Sequence, residues 1–225
     1  MKILINTPSL KKLGGVSNHY IGLKKKWTFN VKYNTIGSRN SIPTIFLIPF
    51  DLMKFLVKCI LFNPQLILLN PSLQLNALKR DALFLKISKY LKIPTCIFMH
   101  GWEDEIEKAI DKKEFDFFNK FKKADAFLVL ANDFKLKLKE WGIDAPIHLT
   151  TTKVDDQLIK TFNFSSKKTN KTILFLARIE ENKGIIIVIK VFKEVLKKYP
   201  ETKLKIAGNG SALEKAKKIV SDQQI

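Results

Sequence analysis

Residues 173–184, Ile173-Leu174-Phe175-Leu176-Ala177-Arg178-Ile179-Glu180-Glu181-Asn182-Lys183-Gly184, decide the fold. The apolar run at their start reads as a strand buried on both faces, and the charged run after it reads as a loop. Gly184 then opens a segment whose apolar positions Val188, Val191, Phe192, Val195, Leu196 and Tyr199 keep a helical period. The β-branched run 185–189 pulls the other way, because such side chains favour strands. The longer spacing carries a helix over 184–199. Residues 203–222 repeat the pattern, with a strand at 203–207, a Gly-rich turn at 208–210 and a helix at 211–222. A strand, a loop at its carboxyl end and a helix, twice over, is the unit of a parallel sheet covered by helices.

The same alternation runs through the rest of the chain. Short apolar runs bounded by Pro, Asn, Gly or His predict strands at 2–6, 66–70, 95–99, 126–130 and 146–150, with a weaker one at 30–36. Helical periods fall between them, at 16–26, about 46–62, 75–92, 105–123 and 132–141. The polar stretch Ser165-Ser166-Lys167-Lys168-Thr169-Asn170-Lys171 reads as a linker. These boundaries divide the chain into a domain at 1–164, a linker at 165–171 and a smaller domain at 172–225. Two strands and two helices cannot enclose a full doubly wound core, so the second lobe reads as the first half of one.

The 225 residues, 46% hydrophobic and 27% charged, exclude disordered and collagen-like classes. The net charge of +19 comes almost wholly from lysine, since Arg39, Arg80 and Arg178 are the only arginines. Arginine supplies the bidentate contacts by which proteins read bases, so a lysine excess spread along the chain argues for an anionic surface over nucleic acid. Cys59 and Cys96 have neither zinc-ligand spacing nor a disulfide pattern, which predicts a reducing cytoplasm. Residues 42–62 are the most apolar stretch, but Pro43 and Pro49 break its start and Asp51, Lys54 and Lys58 interrupt it, so it is not read as a membrane span. Phe46, Leu47, Phe50, Phe55 and Phe62 with Lys54 and Lys58 form either a core helix or a basic, aromatic face for a membrane surface.

Four motifs carry chemistry. Gly14-Gly15 lies between the first strand and the first helix, where glycine permits close approach of a ligand and the helix N-terminus attracts an anion. A plain tight turn is the alternative. His100-Gly101-Trp102 follows a central strand at the edge where α/β sheets bind ligands. His100 there either contacts a sugar hydroxyl or phosphate, titrating near neutrality, or caps the strand end. Arg178 and Lys183 stand five apart on a strand-to-helix loop that either meets one diphosphate or is an exposed charged loop, and Gly208 and Gly210 after the next strand either repeat that geometry or make a simple turn. Glu103, Asp104, Glu105 and Glu107 hold either a general base or ordinary compensation of a helix dipole. His19 and His148 read as structural. No Asp-x-Asp and no metal-ligand spacing is present, so no metal site and no cofactor is expected.

Taken together, Gly14-Gly15-Val16, His100-Gly101, residues 173–184 and Lys203 to Gly210 resemble the GT-B glycosyltransferases of family 4. The block 173–210 is the specific part. The resemblance implies an α/β fold of GT-B type, with a complete N-terminal Rossmann-like lobe for the acceptor and the first half of a second Rossmann-like lobe for a nucleotide-sugar donor. It further implies that Arg178 and Lys183 clamp the donor diphosphate, that Gly15 meets it, that His100 contacts the transferred sugar as the catalytic residue, and that Gly208 and Gly210 border the nucleotide. Ala177 stands where the family usually has glycine. The implied reaction is metal-independent transfer with retained configuration to a glycan or lipid-linked acceptor, in cell-surface polysaccharide synthesis, by a cytoplasmic protein in peripheral contact with the inner face of the membrane. The family's Glu-x7-Glu pair is not met in the fifteen residues after Gly210, which predicts a truncated chain with little or no activity alone. The alternative is a truncated, non-catalytic relative that binds only acceptor or an anionic surface.

Overall fold

The computed structural model describes residues 1–11, 14–37, 44–153, 155–160, 162–163, 165 and 170–223. Most of the expected linker, at 166–169, lies outside the described residues, as does residue 164. The chain divides into two compact units, Met1–Thr161 and Phe162–Ile225.

The first unit is a six-stranded parallel sheet built from β1 (Lys2–Thr7), β2 (Asn30–Thr35), β3 (Leu66–Leu69), β4 (Thr95–Phe98), β5 (Ala126–Val129) and β6 (Ile147–Leu149), in the order β2-β1-β3-β4-β5-β6. Helices connect consecutive strands: α1 (Gly15–Leu23), α2 (Thr44–Phe62), α3 (Leu75–Tyr90), α4 (Asp104–Asp111), α5 (Phe117–Phe121) and α6 (Asn132–Glu140). Strand alternation splits the core in two. Ile3, Ile5, Leu68, Cys96 and Phe98 turn to the face covered by α1 and its Tyr20. Leu4, Ile67, Leu69, Ile97 and Met99 turn to the other face, where Phe55, Phe62, Phe84, Phe117 and Phe121 close over them. The chain leaves β1 toward β2 on one side and returns to place β3 on the other, so the loops after β1 and β3 diverge. That is the switch point at which open α/β sheets bind ligands.

Two expectations are corrected. The single helix at 105–123 is two helices, α4 and α5, separated by a turn in which Lys113 takes φ 62° and the Asp116 carboxylate accepts from the Asn119 amide at 3.0 Å. Ile106, Ile110, Phe117 and Phe121 keep helical spacing straight through the break, so periodicity does not register it. Of the two readings of α2, the core helix holds at Phe55 and Phe62, and the alternative basic, aromatic face is the one corrected. Phe55 and Phe62 are core residues, while the Lys54 and Lys58 ammonium groups donate to the Thr35 and Tyr33 carbonyls of β2 at 2.6 and 2.7 Å. The exposed stripe on that helix is instead Phe50, Met53, Val57, Ile60 and Leu61. The side chain of Phe46 lies outside the described residues. Pro49 sits inside α2 without ending it. Among the described residues no helix is long and apolar enough to cross a membrane.

The second unit holds β7 (Thr172–Leu176) and β8 (Lys203–Ala207), paired in parallel, with α7 (Ile185–Lys198) and α8 (Leu213–Gln223). The run 185–189 is helical, as its spacing and not its branching dictates. Ile179, Ile185, Ile189, Ala212 and Ala216 form its buried core, whereas Ile173, Leu174 and Leu176 of β7 are exposed.

Candidate functional site

Within the first unit, the carboxyl ends of β1, β3 and β4 gather a polar cluster in an otherwise apolar sheet. Asn70 follows directly on β3, and its side chain is almost wholly buried. Its Nδ2 donates to the Asn6 carbonyl at 2.7 Å, and its Oδ1 accepts from the Tyr20 hydroxyl at 2.6 Å. The same Oδ1 stands 2.9 Å from His100 Nε2. The His100 ring rests on Phe98, with centroids 3.7 Å apart, and meets His19 edge-on at 5.3 Å. His19 in turn accepts from the Lys153 backbone amide through Nδ1, at 2.8 Å. Burial, reinforced by the neighbouring His19, pushes the His100 pKa down to about 3. The expected titration near neutrality is therefore corrected: His100 is a neutral imidazole at physiological pH. Burial lowers the His19 pKa as well and raises that of Tyr20.

The loops beneath His100 and Asn70 are braced against each other. The His100 amide donates to the Pro71 carbonyl at 3.2 Å, and the Leu73 amide to the Gly101 carbonyl at 2.8 Å. A Cβ on Gly101 would come 3.0 Å from Ser72 Cβ, so glycine lets the two strand ends pack this closely. Gly15 is different. It is the first residue of α1, and a Cβ there would meet nothing within 4 Å. Among the described residues packing gives no reason for glycine at Gly15, which stands beside the N–H groups of the α1 N-terminus.

Asn6 and Asn34 are register partners on β1 and β2, joined by an Asn34 Nδ2 to Asn6 Oδ1 bond of 3.0 Å. Among the described residues, Asn6 Nδ2, Thr7 Oγ1 and Asn34 Oδ1 are buried without a hydrogen-bond partner. Buried amides and hydroxyls left so are costly, and they mark this edge of the sheet as built for polar company.

In the second unit, Arg178 and Lys183 lie on the loop from β7 to α7. The Arg178 side chain is mostly exposed, and its guanidinium pairs with Glu180 at 3.0 Å. Lys183 ends a short 3-10 turn over Glu181–Lys183, and Gly184 follows in the left-handed region at φ 79° before α7 begins. The loop from β8 to α8 locks onto this one. The Ile179 amide donates to the Asn209 carbonyl, and the Ala212 amide to the Ile179 carbonyl, each at 2.9 Å. A Cβ on Gly208 would fall 1.9 Å from the Ala177 carbonyl oxygen, and one on Gly210 would fall 2.3 Å from that of Ile179. Both glycines are thus required by the approach of the two loops.

Sequence reasoning missed His19, Tyr20 and Asn70 as partners of His100, and Asn6 as the partner of Asn70. The signal present was Asn70 itself, a polar residue closing the apolar strand Leu66–Leu69. The acidic run 103–107 supplies three residues of the first turn of α4, Asp104, Glu105 and Glu107, the last of which accepts from the Trp102 indole at 2.5 Å.

Residues 156–225 match the family described as Glycosyl transferases group 1, a segment that contains both loops of the second unit. No curated protein sequence matches significantly. Among solved structures, the chain is similar to a mutant TarM of S. aureus in complex with Fondaparinux, alpha-GlcNAc-glycerol and UDP, at 16% identity and TM-score 0.55, over 77% of this chain and 34% of that one. It is similar to HepE of Anabaena in complex with UDP and glucose, at 14% identity and TM-score 0.63, over 100% of this chain and 67% of that one. It is also similar to the UDP-GlcNAc 2-epimerase from Neisseria meningitidis bound to UDP-GlcNAc, at 17% identity and TM-score 0.62, over 99% and 69%. The chain therefore spans about a third of the first of these and about two thirds of the other two. At such identities the likeness establishes the fold, which transferases and epimerases share. The chain is an α/β protein of GT-B-type fold whose residues 156–225 match the glycosyl transferases group 1 family.

Proposed function

We propose that the protein takes part in glycosyl transfer from a nucleotide-sugar donor to a glycan or lipid-linked acceptor, with retention and without a metal, in cell-surface polysaccharide synthesis. The observation that carries this reading is the match of the transferase family to the segment that holds Arg178 and Lys183 on the loop before α7. Transferase is preferred to epimerase on that ground. The donor diphosphate is held by Arg178, Lys183 and the unpaired amides of α7, with Gly15 leaving room for it and Gly208 and Gly210 bordering the nucleotide. Charge developing on the departing diphosphate is stabilised by those cations and helix ends, and His100 contacts the transferred sugar. The domain at 1–164 binds the acceptor and that at 172–225 the donor, in a cytoplasmic protein resting peripherally on the inner face of the membrane.

Arg178→Ala and Lys183→Ala test the donor site. Each should weaken UDP binding, measured by calorimetry, by about 1.5 to 3 kcal/mol, the range of a charge-assisted contact. Unchanged affinity in both variants would end the assignment. Nucleotide-sugar turnover separates a transferase from a relative that only binds.

A further inference from the structure

Asn70 has its amide orientation fixed by chemistry. The Asn6 carbonyl 2.7 Å away only accepts, so the atom facing it is the NH2, and the amide oxygen is the atom shared by Tyr20 and His100. An amide oxygen cannot donate. His100 Nε2, 2.9 Å from it, must therefore carry a proton. The ring is neutral at physiological pH, with its pKa pushed down to about 3, so it has one proton to place and Nδ1 is left as a bare lone pair. Among the described residues nothing donates to His100 Nδ1.

We propose that Asn70 is a positioning residue that locks His100 in the Nε2–H tautomer, so that Nδ1 accepts a hydrogen bond from a hydroxyl of the bound sugar. This rests on the transferase reading for the identity of the ligand, but not for the tautomer. It excludes two other uses of the histidine. A lone pair at Nδ1 repels the oxygens of a diphosphate, and a neutral ring fixed in this way offers no proton to a leaving group. Tyr20 and Asn6 hold Asn70 from two sides, so the acceptor is oriented before any ligand arrives. The backbone bond from the His100 amide to Pro71 ties the histidine to the same loop that carries Asn70.

The ring nitrogens report the tautomer directly in two-bond 1H–15N spectra of the full chain labelled at histidine. The wild-type protein should give the Nε2–H pattern for His100 from pH 5 to 8. Asn70→Ala should convert it to a mixture of tautomers, while Tyr20→Phe, which spares the His100 contact, should leave it unchanged. An Nδ1–H pattern in the wild type overturns the lock, and needs no variant to fold. So does an unaltered Nε2–H pattern in a folded Asn70→Ala. Adding UDP-glucose should shift the Nδ1 resonance, and adding UDP should not. Binding of UDP-glucose without a response at Nδ1 overturns the hydroxyl contact. A chain that binds no UDP-glucose overturns that contact together with the transferase reading, and the tautomer is judged separately on the first spectrum.

Discussion

A histidine that stays neutral when folded makes stability depend on acid. The folded pKa of His100 lies near 3, below its ordinary value of 6.5, so between those limits the unfolded chain binds a proton that the native one refuses. Stability therefore falls as pH drops through that window, and at pH 5 His100 alone should cost about 2 kcal/mol. Denaturant titrations at pH 7 and pH 5 should show this difference, reduced in His100→Gln; an equal difference in that variant would place the acid sensitivity elsewhere. The glycines make a second residue-scale test. Gly15→Ala adds a methyl group to open space at the start of a helix, and should raise stability by up to about 1 kcal/mol while lowering nucleotide-sugar affinity. Gly210→Ala drives a Cβ into the Ile179 carbonyl and should destabilise the second unit by about 1 to 3 kcal/mol. Melting curves and UDP calorimetry of the two variants distinguish a glycine kept for a ligand from one kept for packing. The sequence announces both alike, as Gly-rich turns. What separates them is the Ile179 carbonyl that crowds Gly210, in a loop about thirty residues earlier, which no local pattern encodes.

Among the elements, α2 is the one whose surface departs most from its sequence reading. Its core side was legible, since Phe55, Cys59 and Phe62 keep a helical period. Its lysines were not, because Lys54 and Lys58 bend to the carbonyls of an edge strand that only the folded topology brings alongside. The opposite stripe, Phe50, Met53, Val57, Ile60 and Leu61, is left exposed on a chain of net charge +19. Such a surface suits adsorption to an anionic bilayer. Vesicles containing anionic lipid should co-sediment the protein, and the double variant Ile60→Glu, Leu61→Glu should release it while changing folding stability by no more than about 0.5 kcal/mol per site. Phe55→Ala, by contrast, should cost about 3 to 5 kcal/mol. Equal co-sedimentation of wild type and double variant would remove α2 from the contact. The strands were more legible than the helices, because each is a short apolar run whose end Pro, Asn, Gly or His marks plainly. The cluster around His100 was half legible: the strand ends predicted where it lies, but its bonds join residues 19, 70, 100 and 153.

The two units differ in how much they bury. Phe84, Phe98, Phe117, Phe121 and Phe127 are almost wholly enclosed in the first, while the second rests on Ile179, Ile185, Ile189 and two alanines and exposes much of β7. Native-state hydrogen exchange should find the amides of β7 and β8 opening at lower free energy than those of β1 and β4. Matching protection in both sheets would show that the smaller core is sufficient. The strand order of the larger sheet has a consequence for how the protein is made. Once β3 has paired with β1, each of β4, β5 and β6 is laid against the strand translated just before it. Only β2 sits on the opposite side, and it too neighbours the strand that precedes it. A ribosome thus delivers the strands in the order in which the edge can receive them, and the first unit can zip up from its N-terminus without waiting for any later segment.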